Sequence, residues 1–396
     1  MRSLFKLEQT NVDVRETNRT TRVILIRHGR STFNEKKLYQ GSSDLSVLTE
    51  QGWQTAKQVG QFLKNEPIAA IYTSPLKRVR QTVDAILGNL SSTPPLWVQP
   101  GLREIDLQSW EGQSFQFVQE TYAADYQCWK HRPHEFELIP NAVASLDAPS
   151  LNPARGATVA IQTRSFPVLD LYERSQQFWQ EVLCRHPGQT IAVVSHGGTN
   201  RALISTALGL PPSQFHRLQQ SNCGISFLHF PDACLNAAQL KTLNLTTPLK
   251  ESLPKLKEGK QGLRLLLLPS ETNSRSIDHL AQLLQTISID FSLAADSEAT
   301  LIDRLLHYHP TTVQLQSQQH RFLLNWQRTL ETTSSASSQL MTGLVVAAQD
   351  DIQQVVGAAI GLSRDQHWRL QPQPGALSVL HYPVANSPVL QAFNFA

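Results

Sequence analysis

Four short stretches carry groups that could move a proton or attack an electrophile. Each follows an apolar run or opens a helical pattern. In "IRHGRSTFNE", Arg27, His28 and Arg30 flank a glycine. A neutral imidazole at such a place can attack phosphorus and hold the phosphoryl group for part of a cycle. In "TSPLKRVRQT", Arg78 offers a planar fork suited to a phosphate. In "LREIDLQSWEG", Glu104 could protonate a leaving alkoxide, with Asp106 and Glu111 as rivals. In "VVSHGGTNR", His196 precedes Gly197 and Gly198, whose missing side chains let backbone N–H groups approach an anion. Taken singly, each has a plainer reading: a structural histidine, a solvated arginine, a surface carboxylate. Taken jointly, two arginines and two histidines at strand ends make a compact cationic pocket. His131 and His134 of "HRPH" read as loop or lid surface, because no second ligand pair stands near them.

The elements that must position these groups alternate in type. "RVILI", "AAIYTS", "TIAVVS" and "GISFLHF" are short β-rich apolar runs. "LTEQGWQTAKQVGQFLKN" has Trp53, Ala56, Val59 and Phe62 or Leu63 at helical spacing, with Thr49 as N-cap. "SPLKRVRQTVDAILGN" predicts a helix capped by Ser74, with Pro75 at its first position and Gly88 past its end. "GTNRALISTALG" predicts a helix closed by Gly209. Strands alternating with helices predict an α/β fold, a three-layer sandwich around a mainly parallel central sheet. In such sheets the carboxyl ends of the strands form the ligand crevice, and helix N-termini there favour anions.

Bulk composition sets limits. The chain has 396 residues, 40% of them hydrophobic, and a net charge of +3. That length favours more than one domain, and so small a charge does not suggest a nucleic-acid surface. Cys128, Cys184, Cys223 and Cys234 show neither CxxC nor metal spacing, which fits reduced thiols. The first twenty residues lack the continuous apolar core of a secretory signal, and "LRLLLLP" is too short to span a bilayer. A cytoplasmic protein without membrane or nucleic-acid partners is expected.

In this order and spacing, "RHG", "TSPLKR", "LREID" and "SHGG" resemble the histidine phosphatase superfamily, in its phosphoglycerate-mutase-like branch, from about Thr21 to Pro231. The resemblance implies His28 as the phosphorylated nucleophile. It implies Arg27 and Arg78 as neutralisers of phosphoryl oxygens, His196 as a further donor to them, and Glu104 as acid and then base. Asn34, Gln40, Gly41 and Gly197 match positions that shape the phosphate and substrate rim. No metal or other cofactor is implied, and the partner is a small phosphorylated metabolite. "SHGGTNR" and "LREIDLQSWEG" look like the phosphatase variants of these motifs; mutases more often read "HGNSLR" and "NERHYG". A cofactor-dependent phosphoglycerate mutase is the alternative, and a regulatory binding pseudoenzyme is the alternative of another class. "REIDLQSWEG", "QSNCGISFLHF" and a two-unit layout resemble 2-carboxy-D-arabinitol-1-phosphate phosphatase-like proteins. That implies a sugar phosphate in a cyanobacterial or plastid setting, with phosphoserine and phosphoglycolate still open. "RSFPVLDLYERSQQFW" departs from the "GES" that the family often carries there.

The layout is two-unit because the sequence repeats. "VVAAQDDIQQVVGAAIGL", Val345 to Leu362, lies without a gap over "VVSHGGTNRALISTALGL", Val193 to Leu210. "QHWRLQPQPGALSVLHYP" continues the match over "QFHRLQQSNCGISFLHFP", and "LRLLLLPSETNS" lies over "TRVILIRHGRST". Pro269, Ser270 and Ala348 stand where the first copy has Arg27, His28 and His196. Gln349 and Asp350 replace Gly197 and Gly198. The expected division is an extension over 1–20, a catalytic unit over 21–245 with a long loop at 139–165, a linker over 246–262, and a shorter, degenerate, catalytically inactive copy over 263–396. Three roles compete for that copy: packing partner, regulatory module, or homo-oligomer contact.

Overall fold

The structure, a computed structural model, describes residues 20–138, 164–317 and 339–395. The expected loop at 139–165 lies outside the described residues apart from Arg164 and Ser165, and the expected extension apart from Thr20.

The chain begins with β1 (Thr21–Arg27), a short α1 (Thr32–Glu35), α2 (Glu50–Phe62), β2 (Ile68–Thr73), α3 (Lys77–Leu87) and β3 (Leu96–Val98). Next come α4 (Phe115–Thr121), α5 (Ala123–His131), α6 (Pro167–Arg185), β4 (Thr190–Ser195), α7 (Gly197–Leu208), β5 (Ile225–Phe230) and β6 (Gln239–Leu245). The remainder is β7 (Gly262–Pro269), α8 (Ser274–Leu284), β8 (Phe291–Ala295), α9 (Ala299–Leu305), β9 (Val313–Ser317), β10 (Leu340–Ala347), α10 (Gln349–Ile360), β11 (Leu377–Tyr382) and β12 (Val389–Phe395).

Alternation along the strands builds the layers. Val23 and Leu25 of β1 pack with Trp179 of α6 and Leu203 of α7. Ile24 and Ile26, on the opposite face, pack with Val59 of α2 and Val83 of α3. The same division continues in the second half. Leu265 and Leu267 of β7 join Val356 of α10, while Leu266 and Leu268 join Leu280 of α8. Helices therefore cover both faces of one sheet, and strands buried on both faces read as continuous apolar runs.

The twelve strands among the described residues run in the order β3-β2-β4-β1-β5-β6-β12-β11-β7-β10-β8-β9. Read inward from either end, the connectivity is the same: a parallel group, then an antiparallel pair. Ser195 pairs with Arg27 across β4 and β1, and Ala347 pairs with Pro269 across β10 and β7, so the aligned sequences occupy matching places. The two halves meet where β6 runs antiparallel to β12, with Phe393 opposite Leu243. Contacts there are reciprocal. The Asn244 carboxamide donates to the Gln391 carbonyl at 2.7 Å, and that of Asn394 donates to the Lys241 carbonyl at 2.8 Å. Leu218 bridges to Leu390 as Leu370 does to Leu240. Gly209 lies against Gln366 and Gly361 against Gln214, both glycines at positive φ closing their helices.

Two local expectations need refinement. Leu63 is buried and Phe62 exposed, so Leu63 completes the inner face of α2. Ser74 does not cap α3: the helix starts at Lys77 behind Leu76, which makes no side-chain cap bond. The Ser74 hydroxyl is bonded to His196 instead.

Candidate active site

β1 and β4 are parallel neighbours, so Arg27–His28 and His196 leave the sheet side by side. The rings of His28 and His196 lie 5.4 Å apart, centre to centre, edge to face. The His28 backbone N–H donates to the Ser195 carbonyl at 2.9 Å, fixing the turn. Nδ1 of His28 is 2.7 Å from the Gly29 carbonyl. A carbonyl only accepts, so Nδ1 carries the proton and Nε2 keeps its lone pair. Burial, followed by repulsion from Arg27 and Arg78, holds the His28 pKa well below 6.5. The nucleophilic form is thus the resting form.

Nε2 of His196 pairs with the Ser74 hydroxyl at 2.8 Å, and its Nδ1 is buried without a partner. Burial, followed by the charges of Arg78 and Arg27, likewise holds His196 neutral. The Ser74 hydroxyl can donate to Nε2, and in that tautomer the His196 proton sits on Nδ1, where it can meet an incoming acceptor.

Both arginines are anchored by carbonyls. Arg27 donates to the Gln220 carbonyl at 2.8 Å. Arg78, fully buried, donates to the Gly41 and Ser43 carbonyls at 2.8 and 2.7 Å. In each, Nε is buried without a partner. Burial lowers both pKa values to about 10, opposed by the attraction of Glu104, so both stay charged at neutral pH. Arg30 leaves the cluster: it bonds Gln51 of α2 and pairs with Glu35.

Glu104 lies at the start of α7, where it accepts N–H bonds from Gly198 and Thr199, each at 3.1 Å. A side chain at Gly198 would come within 2.5 Å of its carboxylate oxygen, which is why glycine is needed there. Arg103 turns away and donates to the Ser42 carbonyl. The rival carboxylates have other work. Glu111 accepts from the backbone and hydroxyl of Ser42, and Asp106 from the Ser42 hydroxyl and the Gln108 N–H.

The rim residues act mainly through one another. Ser31 caps α1 reciprocally with Asn34, and the Asn34 side-chain Oδ1 also accepts from the Asn222 carboxamide. Asn222 in turn donates to the His28 carbonyl at 3.1 Å. Gln40 accepts from the Ser31 and Ser46 hydroxyls, and Gly41, at φ +49°, presents its carbonyl to Arg78. Ser74, Asn222 and Gln220 were missed by sequence reasoning; "TSP" and "QSNCG" adjoin the motifs but carry no ionisable signal. His131 and His134 stay on the surface around α5, where His134 lies 3.5 Å from Glu135. The buried Cys223 thiol is pushed up to about 12 by burial, so it is no rival nucleophile.

A cavity of about 410 Å³ opens beside the cluster. Arg27, Glu104, Gly197 and Arg201 are on its polar side, and Tyr39, Phe115, Trp129 and Phe215 on its aromatic side. His28, His196 and Arg78 are almost wholly inaccessible next to it. The arrangement can hold a phosphoryl group among guanidinium and imidazole donors while the rest of a substrate occupies the cavity.

Known proteins resemble the part of the chain that carries this site. The probable 2-carboxy-D-arabinitol-1-phosphatase of Arabidopsis thaliana is 34% identical over 225 residues, covering 55% of this chain and 41% of that protein. The 2-carboxy-D-arabinitol-1-phosphatase of Triticum aestivum is 36% identical over 223 residues, covering 54% and 40%. The chain thus spans about two-fifths of the length of these plant relatives. Phosphoserine phosphatase 1 of Hydrogenobacter thermophilus is 30% identical over 230 residues, covering 58% of this chain and 95% of that protein. The family model for the histidine phosphatase superfamily (branch 1) matches residues 23–148 and 155–244, over half of the chain and all four motif stretches, and the chain belongs to that superfamily.

Proposed function

We propose that this protein is a metal-independent phosphomonoesterase that works through a phosphohistidine on His28. The observation that carries the reading is the Nδ1–H bond of His28 to the Gly29 carbonyl, which leaves Nε2 unprotonated within a cluster of fixed positive charge. In the first step Nε2 attacks phosphorus as the ester P–O bond breaks, and the departing oxygen takes a proton from Glu104. Arg27 and Arg78 balance charge on the non-bridging oxygens, and Nδ1–H of His196 donates to them. In the second step Glu104, now a carboxylate, takes a proton from water. The water oxygen bonds to phosphorus, the N–P bond breaks, and the imidazole recovers its lone pair.

The substrate we favour is a small sugar phosphate such as 2-carboxy-D-arabinitol 1-phosphate, in keeping with the activity for which the plant relatives are named. Asn34, Gln40, Gly41 and Gly197 shape its phosphate end. Residues 21–245 form the catalytic unit, 246–262 the linker, and 263–396 an inactive copy, since Pro269, Ser270 and Ala348 supply neither an imidazole nor a cation where the first copy has Arg27, His28 and His196.

The test is turnover of p-nitrophenyl phosphate and a panel of metabolites in the presence of a chelator, with rapid alkaline quenching to trap the intermediate, because the N–P bond of phosphohistidine is labile in acid. Wild type should hydrolyse the aryl ester and carry phosphate on His28. His28→Ala should lower kcat by more than about a thousandfold. A quenched wild-type enzyme with phosphate on any other residue, or turnover that survives His28→Ala, would refute the mechanism.

A further inference from the structure

The segment between β6 and β7 reads as a solvated linker, "TTPLKESLPKLKEGKQG", yet part of it closes over the cavity. The Lys255 carbonyl accepts from the Gln219 carboxamide at 3.0 Å. Two residues on, the Lys257 ammonium donates to the Gln220 carbonyl. That is the same oxygen to which Arg27 donates. One neutral carbonyl therefore holds two cations side by side. Glu258 then fastens the strap, pairing with Lys130 of α5 at 2.5 Å and reaching Asn386 ahead of β12.

Lys257 lines the cavity together with Arg27 and Arg201. The Arg201 guanidinium lies over the Phe215 ring at 5.6 Å, and its Nε is buried with no hydrogen-bond partner. Among the cavity-lining residues, Glu104 supplies the only carboxylate. Glu258, the acid next to Lys257, is committed to Lys130. Burial, then repulsion from Arg27 and Arg201, lowers the Lys257 pKa. The side chain keeps exposed surface, which tempers the burial effect but not the repulsion. Three basic side chains face one carboxylate on the cavity wall; Glu251 and Glu258 beside Lys257 offset part of that charge, and the two arginines keep the wall favourable to an anion.

We infer that Lys257 and Arg201 form a second anion subsite, which makes the preferred substrates phosphomonoesters that carry another anionic group, a carboxylate or a second phosphate. This rests on the phosphatase reading above and narrows its substrate class. Lys257 lies beyond residue 244, where the family match ends, so the strap adds specificity that the shared motifs do not encode. Arg27 would bind the transferred phosphoryl group, and Lys257, sharing its carbonyl anchor, would hold the distal charge.

The experiment compares matched pairs: glycerol 3-phosphate with 3-phosphoglycerate, and fructose 6-phosphate with fructose 1,6-bisphosphate. Wild type should prefer the second member of each pair in kcat/KM, chiefly through KM, and the preference should shrink as salt rises. Lys257→Gln should reduce the preference by about ten- to hundredfold, the scale of one charge-assisted contact, while Lys257→Arg should retain most of it. Equal losses on both members of each pair in Lys257→Gln would overturn the subsite, as would a wild-type enzyme indifferent to the second anion. Wild-type turnover of p-nitrophenyl phosphate separates the two proposals: its presence with no preference sinks the subsite alone, and a protein inert on every ester sinks both.

Discussion

At the scale of single residues, the site keeps both of its clustered histidines neutral by burying them beside arginines. His28 and His196 are 1% and 0% exposed, and both have pKa values well below 6.5. In the unfolded chain each would titrate near 6.5. Their contribution to stability is therefore complete above that value and is lost as pH falls towards the folded pKa. The linkage slope is about 1.4 kcal/mol per pH unit for each histidine that stays neutral. The melting temperature should drop between pH 7 and 5, and the drop should be shallower in a His28→Gln, His196→Gln double variant. Parallel curves for the two proteins would show that other groups set the acid sensitivity. Turnover should follow the same sign, but with an acid limb that sets in only well below pH 6.5, where Nε2 of His28 in the folded enzyme takes up a proton.

At the scale of elements, the seam between β6 and β12 depends on two asparagines in left-handed backbone, Asn244 at φ +56° and Asn394 at φ +49°. Each also accepts a backbone N–H within its own half, Asn244 from Ser221 and Asn394 from Gln373. Replacing either by alanine removes buried hydrogen bonds and the short polar side chain that lets asparagine tolerate left-handed backbone. Loss of about 2–4 kcal/mol is expected from each, similar in the two copies, by urea titration. A marked inequality between them would show that the halves do not share the seam evenly. This seam marks a limit of sequence reading. The repeat was legible because Val193–Leu210 and Val345–Leu362 align without a gap, and the four motifs were legible because chemistry restricts residue type. Pairing of β6 with β12 was not, since no local pattern states which edge strands meet. Ser74 misled because a serine before a proline fits an N-cap, and only the tertiary fold reveals His196 as its partner. Lys257 was hidden in plain linker composition for the same reason: its partners are thirty or more residues away or across the fold.

At the scale of the whole molecule, the second half covers what would otherwise be a bare sheet edge. β6 without β12 presents unpaired N–H and C=O groups, and the contacts it makes are nearly self-complementary. A chain ending at Gln261 should therefore form a symmetric dimer through β6, with Asn244 donating to the position-241 carbonyl of its partner. Light scattering would register the doubled mass, and a monodisperse monomer of unchanged melting temperature would remove the covering role. The strand order, which reads alike from both ends, has a further consequence. Two separate chains meeting at such an edge part on dilution, because their association depends on concentration. Here the partners are one polypeptide, so the effective concentration is set by the connector and not by the cell. If the second half is the inactive copy proposed above, it can complete the first without chemistry of its own, and a joined pair does not come apart however scarce the protein becomes.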